Sequence, residues 1–393
     1  QAPSGAYVAS PNFPVYHYSW LRDGAFIADA MSRAGQTDSA EAFFRWCAGV
    51  VSDRRPRIES LIERRRAGVA IDPGEFLHTR YTVDGQESGE EWTDFQLDGY
   101  GAWLWAFGLH RRRHDREMEH LMLGAELSAR YVQAFWDHPS YDWWEEHPDH
   151  RHASTLAALY AGLDAASEWP ELESDRRQSF AQTAAIIRET VLAEAQRIGH
   201  LPKWLGALRV DASLIAAGIP FGLVRANHPL MLATIAMIEA GLVHGGGVHR
   251  YADDTYYGGG EWLLLAAFLG WHYARIGRTA DARRQLAWVA SHATPDGDLP
   301  EQTSECLLAP AARQAWIDRW GPVATPLLWS HAIIILSEMS ASMLPHTNAD
   351  ASRFGYDTRT SLAVGRHFRA TDYVLALQHR HLITRAWLEQ MNG

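Results

Sequence analysis

Apolar residues recur with helical spacing along almost the whole 393-residue chain. A helix that buries one face repeats its apolar positions every three or four residues, and glycine or proline interrupts the pattern between helices. Alternating polar and apolar residues, which are typical of strands, are scarce. The pattern predicts an all-α protein with helices near residues 20–34, 37–52, 95–113, 116–137, 151–168, 173–197, 226–241, 260–276, 279–292 and 323–342.

An internal similarity predicts how these helices are arranged. Ser32–Val50 aligns with Ala274–His292, and in both segments a helix ends at a glycine before Thr37 or Thr279, which we expect to be the N-cap, opens a second helix. Such a pair buries its apolar face only against further pairs, and a closed ring of pairs leaves no open end. We therefore expect six inner and outer helix pairs, an (α/α)6 barrel, with an open helical solenoid as the alternative.

Charge and composition narrow the classes of partner. The formal net charge is −11, which argues against nucleic acid and anionic membranes, because both favour basic surfaces. Cys47 and Cys306 match neither a disulfide framework nor a thiolate metal site. The loosely spaced His147, His150 and His152 lack a further ligand at a metal-site spacing. We expect no metal, no cofactor, and a small neutral substrate.

The compartment is a separate expectation. The sequence contains no apolar run of 18 residues and no recognisable leader at its start. We expect a cytoplasmic protein, with a secreted protein whose signal has been removed as the alternative. The sequence leaves the oligomeric state open.

Tryptophan is unusually abundant, with 17 Trp against 14 Tyr and 13 Phe. Such flat rings either pack a helical core or stack on the apolar faces of sugars. Several of them lie in polar segments between helices, which a barrel would gather at one mouth.

The segment YDWWEEHPDH, residues 141–150, carries the first candidate for chemistry. Glu145 and Glu146 directly follow Trp143 and Trp144. Burial against apolar rings raises the pKa of a carboxyl group and keeps a proton on it near neutral pH. A general acid for glycosidic bond cleavage needs that proton. The alternative is a helix N-terminus at which acidic residues complement the helix dipole.

The segment DGDLPEQTSE, residues 296–305, places Glu301 behind a proline in a loop. An ionised carboxylate there could activate a water molecule from the face opposite the acid. Inverting hydrolysis needs the two carboxyl groups roughly 6.5–9.5 Å apart. An ordinary surface-loop glutamate is the alternative.

Two further segments, YHYSWLRD and WTDFQLDGYG, precede predicted helices. Arg22 and Asp23 are adjacent, and together they donate and accept the hydrogen bonds that vicinal hydroxyl groups offer. A solvated pair at a helix start is the alternative. Trp92 opens the second segment, which alone indicates only a loop and a core helix.

Taken in order, these segments resemble the catalytic domain of glycoside hydrolase family 15, the glucoamylase family. YDWWEE resembles the family's YDLWEE-type motif, LPEQ its SEQ segment, YSWLRD its YTWTRD segment and HRYADDTYYGGGEW its RYPEDTYYNGNPW segment. The similarity runs from Tyr16 to about Ser340. It implies an (α/α)6 barrel, and we expect residues 1–393 to form a single catalytic domain in which the residues after about 342 are a C-terminal extension.

The resemblance also implies roles for individual residues. The general acid falls on Glu145 and the general base on Glu301, while Arg22 and Asp23 would hold hydroxyl groups of the terminal glucose. Glu146 would contact the neighbouring sugar. The remaining substrate-binding residues are expected to be Tyr16, Trp20, Trp92, Trp144, Arg250, Tyr251 and Trp329.

The activity implied is exo-acting, inverting hydrolysis that releases β-glucose from the non-reducing end of short α-glucosides. Trp143 stands where the fungal motif has leucine, and the starch-binding module of some relatives does not fit in this chain. We therefore expect a compact pocket for isomaltose or isomaltooligosaccharides with an α-1,6 link. The alternatives are an α-1,4 glucoamylase of the maltose type, a trehalose hydrolase, a glucoside phosphorylase and a non-catalytic sugar-binding module.

Overall fold

The computed structural model describes residues 1–90 and 92–343. The predicted C-terminal extension after about residue 342 therefore lies outside the described residues. The helices are α1 (Leu21–Arg33), α2 (Thr37–Ser52), α3 (Arg55–Arg66), α4 (Asp98–His114), α5 (Met122–Phe135), α6 (Ala153–Ser167), α7 (Ser174–Ile198), α8 (Ile215–Gly218), α9 (Pro229–Leu242), α10 (Leu263–Arg275), α11 (Thr279–Ser291), α12 (Arg313–Trp320) and α13 (Leu328–Met343). The strands β1 (Ser19–Trp20) and β2 (Arg80–Tyr81) pair antiparallel, with Ser19 opposite Tyr81.

Within the described residues, six helices contact one another in a closed ring. The order around the ring is α1, α4, α6, α8, α10 and α13, and α13 packs back against α1. Side chains of α1, α4, α6, α8 and α10 are buried on nearly all sides, whereas α2, α7, α9 and α11 bury one face, which is the pattern of inner and outer helices. The predicted (α/α)6 barrel is confirmed.

All ten predicted helical stretches contain a helix. The sequence pattern missed α3, α8 and α12. α3 buries only Ile58, Leu61 and Ile62 and ends in three arginines, so its apolar pattern is weak. α8 has four residues and α12 has eight, which is too short for a periodic signal.

The link within the two similar helix pairs differs from the prediction. Thr37 and Thr279 are the first helical residues, and neither helix has a side-chain cap. Instead Gly35 and Gly277 have φ angles of 79° and 83°, in the left-handed region that glycine favours. The amide of Gln36 then donates to a carbonyl of the preceding helix at 2.9 Å. The left-handed glycine ends the inner helix. The N-cap positions of α2 and α11 fall on Gln36 and Arg278, so the predicted threonine N-cap is wrong.

Most of the predicted site residues lie in segments that precede inner helices. Arg22, Asp23 and Trp329 lie in the first turns of α1 and α13, and Glu301 lies in the loop before α12. One cavity is lined by residues from each of the segments before α1, α4, α6, α10 and α13, namely 14–20, 92–97, 141–146, 250–262 and 316–327. The barrel therefore brings together segments that are far apart in the sequence. Among the helices of residues 1–90 and 92–343, none is long and apolar enough to cross a membrane.

Two glycines let the inner helices α4 and α6 approach closely. A Cβ atom at Gly101 would lie 2.4 Å from the carbonyl oxygen of Ala158, and one at Gly162 would lie 2.6 Å from the carbonyl oxygen of Gly101. Both separations are shorter than van der Waals contact. The two backbones therefore touch, and any side chain at these positions would force them apart.

We predict that Gly101→Ala lowers the free energy of unfolding by about 1–3 kcal/mol, because the methyl group overpacks the contact between α4 and α6. Gly49→Ala in α2 is the control, since a Cβ atom there meets nothing within 4 Å; it should leave stability unchanged or raise it by up to about 1 kcal/mol. Urea denaturation measures both variants. Equal losses would contradict the close-packing argument.

Candidate active site

One cavity of about 850 Å³ gathers nearly all of the residues predicted for the site. Of these, the ones that line it are Tyr16, Trp20, Arg22, Asp23, Trp92, Trp144, Glu145, Glu146, Arg250, Glu301 and Trp329. Tyr251 does not line the cavity. Its hydroxyl group donates a hydrogen bond to the Glu146 carboxylate, so it reaches the cavity through that side chain.

Buried charges form the floor. Arg22 and Asp23, in the first turn of α1, are 5% and 6% exposed. Nη1 of Arg22 lies 3.0 Å from both Gln96 Oε1 and Asp98 Oδ2, its Nε lies 3.3 Å from Asp23 Oδ2, and its guanidinium lies over the ring of Trp329. Burial raises the pKa of Asp23 to about 6, although Arg22 opposes the rise. These contacts hold the Arg22 guanidinium in one orientation.

Glu145 lies on a tight turn. Its φ angle is 64° and that of His147 is 53°, a conformation that costs free energy in residues other than glycine. The Asp142 carboxylate holds the turn, because its Oδ1 accepts hydrogen bonds from the amides of Trp144 and Glu146 at 2.9 Å each. Asp142 therefore sets the direction in which the Glu145 side chain leaves the backbone.

The Glu145 carboxyl group is half-buried and points into the cavity. The Trp20 indole donates to its Oε1 at 2.7 Å, and the Thr93 hydroxyl lies 3.5 Å from its Oε2. Burial raises its pKa, while Arg22 and the Trp20 hydrogen bond act in the opposite direction. The net rise helps this carboxyl group to keep a proton.

Glu301 is 2% exposed and lies beside two tyrosines. The Tyr16 hydroxyl donates to Glu301 Oε1 at 3.1 Å, and the Tyr16 and Tyr256 hydroxyl oxygens are 2.8 Å apart. Burial raises the pKa of Glu301 to about 7, and the hydrogen bonds of the tyrosines together with Arg250 limit the rise. Its second oxygen, Oε2, accepts no hydrogen bond from any described residue.

The two carboxyl groups are linked through an aromatic pair. The rings of Tyr16 and Trp20 meet edge to face with centroids 5.6 Å apart. Tyr16 contacts Glu301, and Trp20 contacts Glu145. One pair of rings thus holds both carboxyl groups at the same cavity.

Glu146 and Arg250 form a second polar wall. Nη2 of Arg250 lies 3.3 Å from Glu146 Oε1, and its Nε donates to Asp254 at 2.7 Å. Arg250 is 2% exposed, so its direction is fixed by these two carboxylates. This wall offers both donors and acceptors to a polar ligand.

Sequence reasoning missed several residues of the mouth and walls. Tyr256 lies inside a motif that was recognised, yet only the fold brings its hydroxyl group to Tyr16. Trp316 and Trp320, four residues apart on α12, line the mouth, and Trp320 stacks on Trp92. Their helical spacing is a signal that could have predicted a shared face. Other lining residues that were not predicted include Thr93, Tyr141, Trp262 and Arg319.

Buried Arg80 packs against aromatic rings near this mouth. Its guanidinium lies between the rings of Tyr18 and Trp92, at 4.0 and 3.8 Å from their centroids. No sequence motif marks Arg80, because its aromatic partners come from other segments.

One cluster within the described residues could offer ligands to a metal ion, namely Asp142, Glu146 and His147. Both carboxylates already lie near cations. Arg250 contacts Glu146, and Lys203 Nζ lies 3.8 Å from Asp142 Oδ2. These cations oppose the binding of a divalent ion at this position.

Comparisons with known proteins show the family of the chain. The sequence model described as glycosyl hydrolases family 15 matches residues 1–320. The isomaltose glucohydrolase of Kribbella flavida is 45% identical over 359 residues, which cover 89% of this chain and 92% of that protein. A solved wild-type glycosidase is 45% identical with a TM-score of 0.84, covering 88% of this chain and 94% of its own.

A glucoamylase structure from Hormoconis resinae is similar in fold alone, at 16% identity and a TM-score of 0.66 over 88% of this chain and 69% of that one. The family match covers most of the chain, and the relative from Kribbella flavida is similar along nearly its whole length. The chain therefore belongs to glycosyl hydrolase family 15 and is a glycoside hydrolase.

Proposed function

We propose that the enzyme hydrolyses isomaltose and short isomaltooligosaccharides from the non-reducing end, with inversion and release of β-glucose. The observation that carries the proposal is the pair Glu145 and Glu301, two carboxyl groups in different surroundings that line one cavity. The isomaltose preference is suggested by the name of the Kribbella flavida relative.

Glu145 is the proposed general acid. The glycosidic oxygen must receive a proton as its bond to the glucose C1 atom breaks. Burial raises the pKa of Glu145, and the Trp20 indole donates to one carboxyl oxygen, so the proton is carried by the other, Oε2, which lies 3.5 Å from the Thr93 hydroxyl. The proton passes from Glu145 to the leaving sugar, whose oxygen becomes a hydroxyl group.

Glu301 is the proposed general base. Its Oε1 accepts a hydrogen bond from Tyr16, which favours the ionised form, and its Oε2 is left for the attacking water. The water oxygen bonds to C1 from the face opposite the leaving sugar, and its proton goes to Glu301. At C1 the new C–O bond forms as the bond to the leaving sugar breaks, and because the water attacks from the opposite face the configuration at C1 inverts.

Exo action follows from the shape of the cavity. The floor residues Arg22, Asp23 and Trp329 are at most 6% exposed, whereas Trp92 and Trp320 at the mouth are half-buried. A sugar chain therefore enters by its end. Arg22 and Asp23 are the proposed partners of the terminal glucose, and Glu146 and Arg250 those of the sugar that leaves.

We predict that isomaltose gives the highest kcat/KM in a panel of isomaltose, maltose, trehalose and panose, measured by glucose release. Added phosphate should not change the rate, because water is the nucleophile. Proton NMR of the fresh product should show β-glucose first. Release of α-glucose, or a need for phosphate, would overturn the proposal, and a different best substrate would overturn only its specificity.

We predict that Glu145→Gln and Glu301→Ala each lower kcat by roughly 10²–10⁴-fold, which is the usual contribution of general acid–base catalysis. The thermal midpoint and glucose binding should change little. Glu305→Gln is the control, since Glu305 is an exposed carboxylate four residues further along the same loop. Near-normal turnover by either active-site variant would remove that residue from the mechanism.

We predict that Tyr256→Phe moves the pH profile of kcat/KM to higher pH. The hydroxyl group of Tyr256 helps to lower the pKa of Glu301, so its loss raises that pKa above about 7, and the ionised base then persists only at higher pH. Tyr257→Phe is the control, because the Tyr257 hydroxyl donates to the Gly321 carbonyl instead. A profile that stays in place, or moves to lower pH, contradicts the prediction.

A further inference from the structure

Behind the second polar wall, one ammonium group is buried between two carboxylates. Lys203 is 3% exposed, and its Nζ lies 3.1 Å from Asp211 Oδ2 and 3.8 Å from Asp142 Oδ2. Asp211 and Asp142 are 1% and 3% exposed. None of the three lines the cavity, and none has a part in the proposed chemistry.

Both carboxylates are attached to the turn that carries the acid. Asp211 accepts a hydrogen bond from the Trp144 indole, with Nε1 at 2.9 Å from Oδ2. Asp142 accepts the amides of Trp144 and Glu146 through its other oxygen. Lys203 therefore holds both the side chain and the backbone of this turn through two carboxylates.

A third contact of Lys203 reaches Glu146 through Tyr251. Nζ of Lys203 lies 3.5 Å from the centroid of the Tyr251 ring, a cation–π arrangement. The Tyr251 hydroxyl donates to the Glu146 carboxylate. The position of this ring, and with it the hydrogen bond to Glu146, depends on the ammonium group beneath it.

Stability alone does not account for these buried charges. The free energy lost by removing an ammonium group and two carboxylates from water offsets much of the attraction between them. Proteins in which apolar residues replace a buried ion pair are often as stable as the originals. All three contacts of Lys203 instead converge on Trp144 and Glu146, which line the cavity where the leaving sugar is proposed to lie.

We propose that Lys203 is a positioning residue for the leaving-sugar side of the cavity, where it fixes Trp144 and Glu146 without touching the substrate. This inference rests on the proposed function. Removal of the ammonium group should therefore impair substrates that carry a second sugar much more than substrates that do not.

The test compares isomaltose with methyl α-glucoside, which has no second sugar but whose leaving oxygen needs the proton of Glu145 just as the leaving sugar does. In Lys203→Met, kcat/KM for isomaltose should fall about tenfold or more, while the value for methyl α-glucoside should change less than about threefold. A parallel loss on both substrates, or no loss on either, overturns the proposal.

Arg113→Met is the matched control. Arg113 lies in the last turn of α4 and pairs with Asp29, a carboxylate that is 0% exposed. Neither residue lines the cavity. This variant also removes a cation from a buried carboxylate, so it should lower stability and keep the wild-type ratio of the two activities. A change in that ratio would show that any buried charge defect produces it, which overturns the proposal.

If Lys203→Met does not yield folded protein, Lys203→Met/Asp211→Asn replaces it, since the double variant removes one charge of each sign and keeps an acceptor for the Trp144 indole. The same outcomes decide. Wild-type rates on the substrate panel test the proposed function separately, because only the ratio of variant to wild type bears on Lys203.

Discussion

The geometry of the site depends on one buried carboxylate that organises a backbone turn. Asp142 accepts two amide hydrogen bonds across the turn in which Glu145 adopts a left-handed conformation. Without these bonds a glutamate would rarely adopt that conformation. The direction of the carboxyl group, its contact with the Trp20 indole and its burial all follow from the turn. The buried cation Lys203 lies on the other oxygen of the same carboxylate.

The barrel explains why residues so distant in sequence meet. The segments before five of the six inner helices line one cavity, so side chains from all of them meet at one place in the ring. Each segment brings few functional side chains, and the cavity becomes polar and aromatic only when all of them are present. The cavity also depends on close approach of neighbouring helices. The backbones of α4 and α6 touch at Gly101, and this contact helps to close the ring.

The sequence predicted ten of the thirteen described helices, the barrel and the segments of the site, because helical spacing and recognisable motifs are local properties. Local patterns could not predict the partners that act across segments. Lys203 and Asp142 are far apart in the chain, and nothing beside Lys203 marks it as buried. The threonine N-caps failed for a local reason: each outer helix begins one residue earlier than predicted, at the threonine itself, and has no side-chain cap.

The stacked Trp92 and Trp320 at the mouth have a consequence for how sugars leave the cavity. In the proposed reaction, a sugar held by Arg22 and Asp23 on this buried floor leaves through the mouth that the two rings line. The terminal glucose would then depart after the portion nearer the entrance. Accumulating glucose would occupy the floor that the next molecule needs, so the proposed reaction would slow wherever the surroundings remove that sugar slowly.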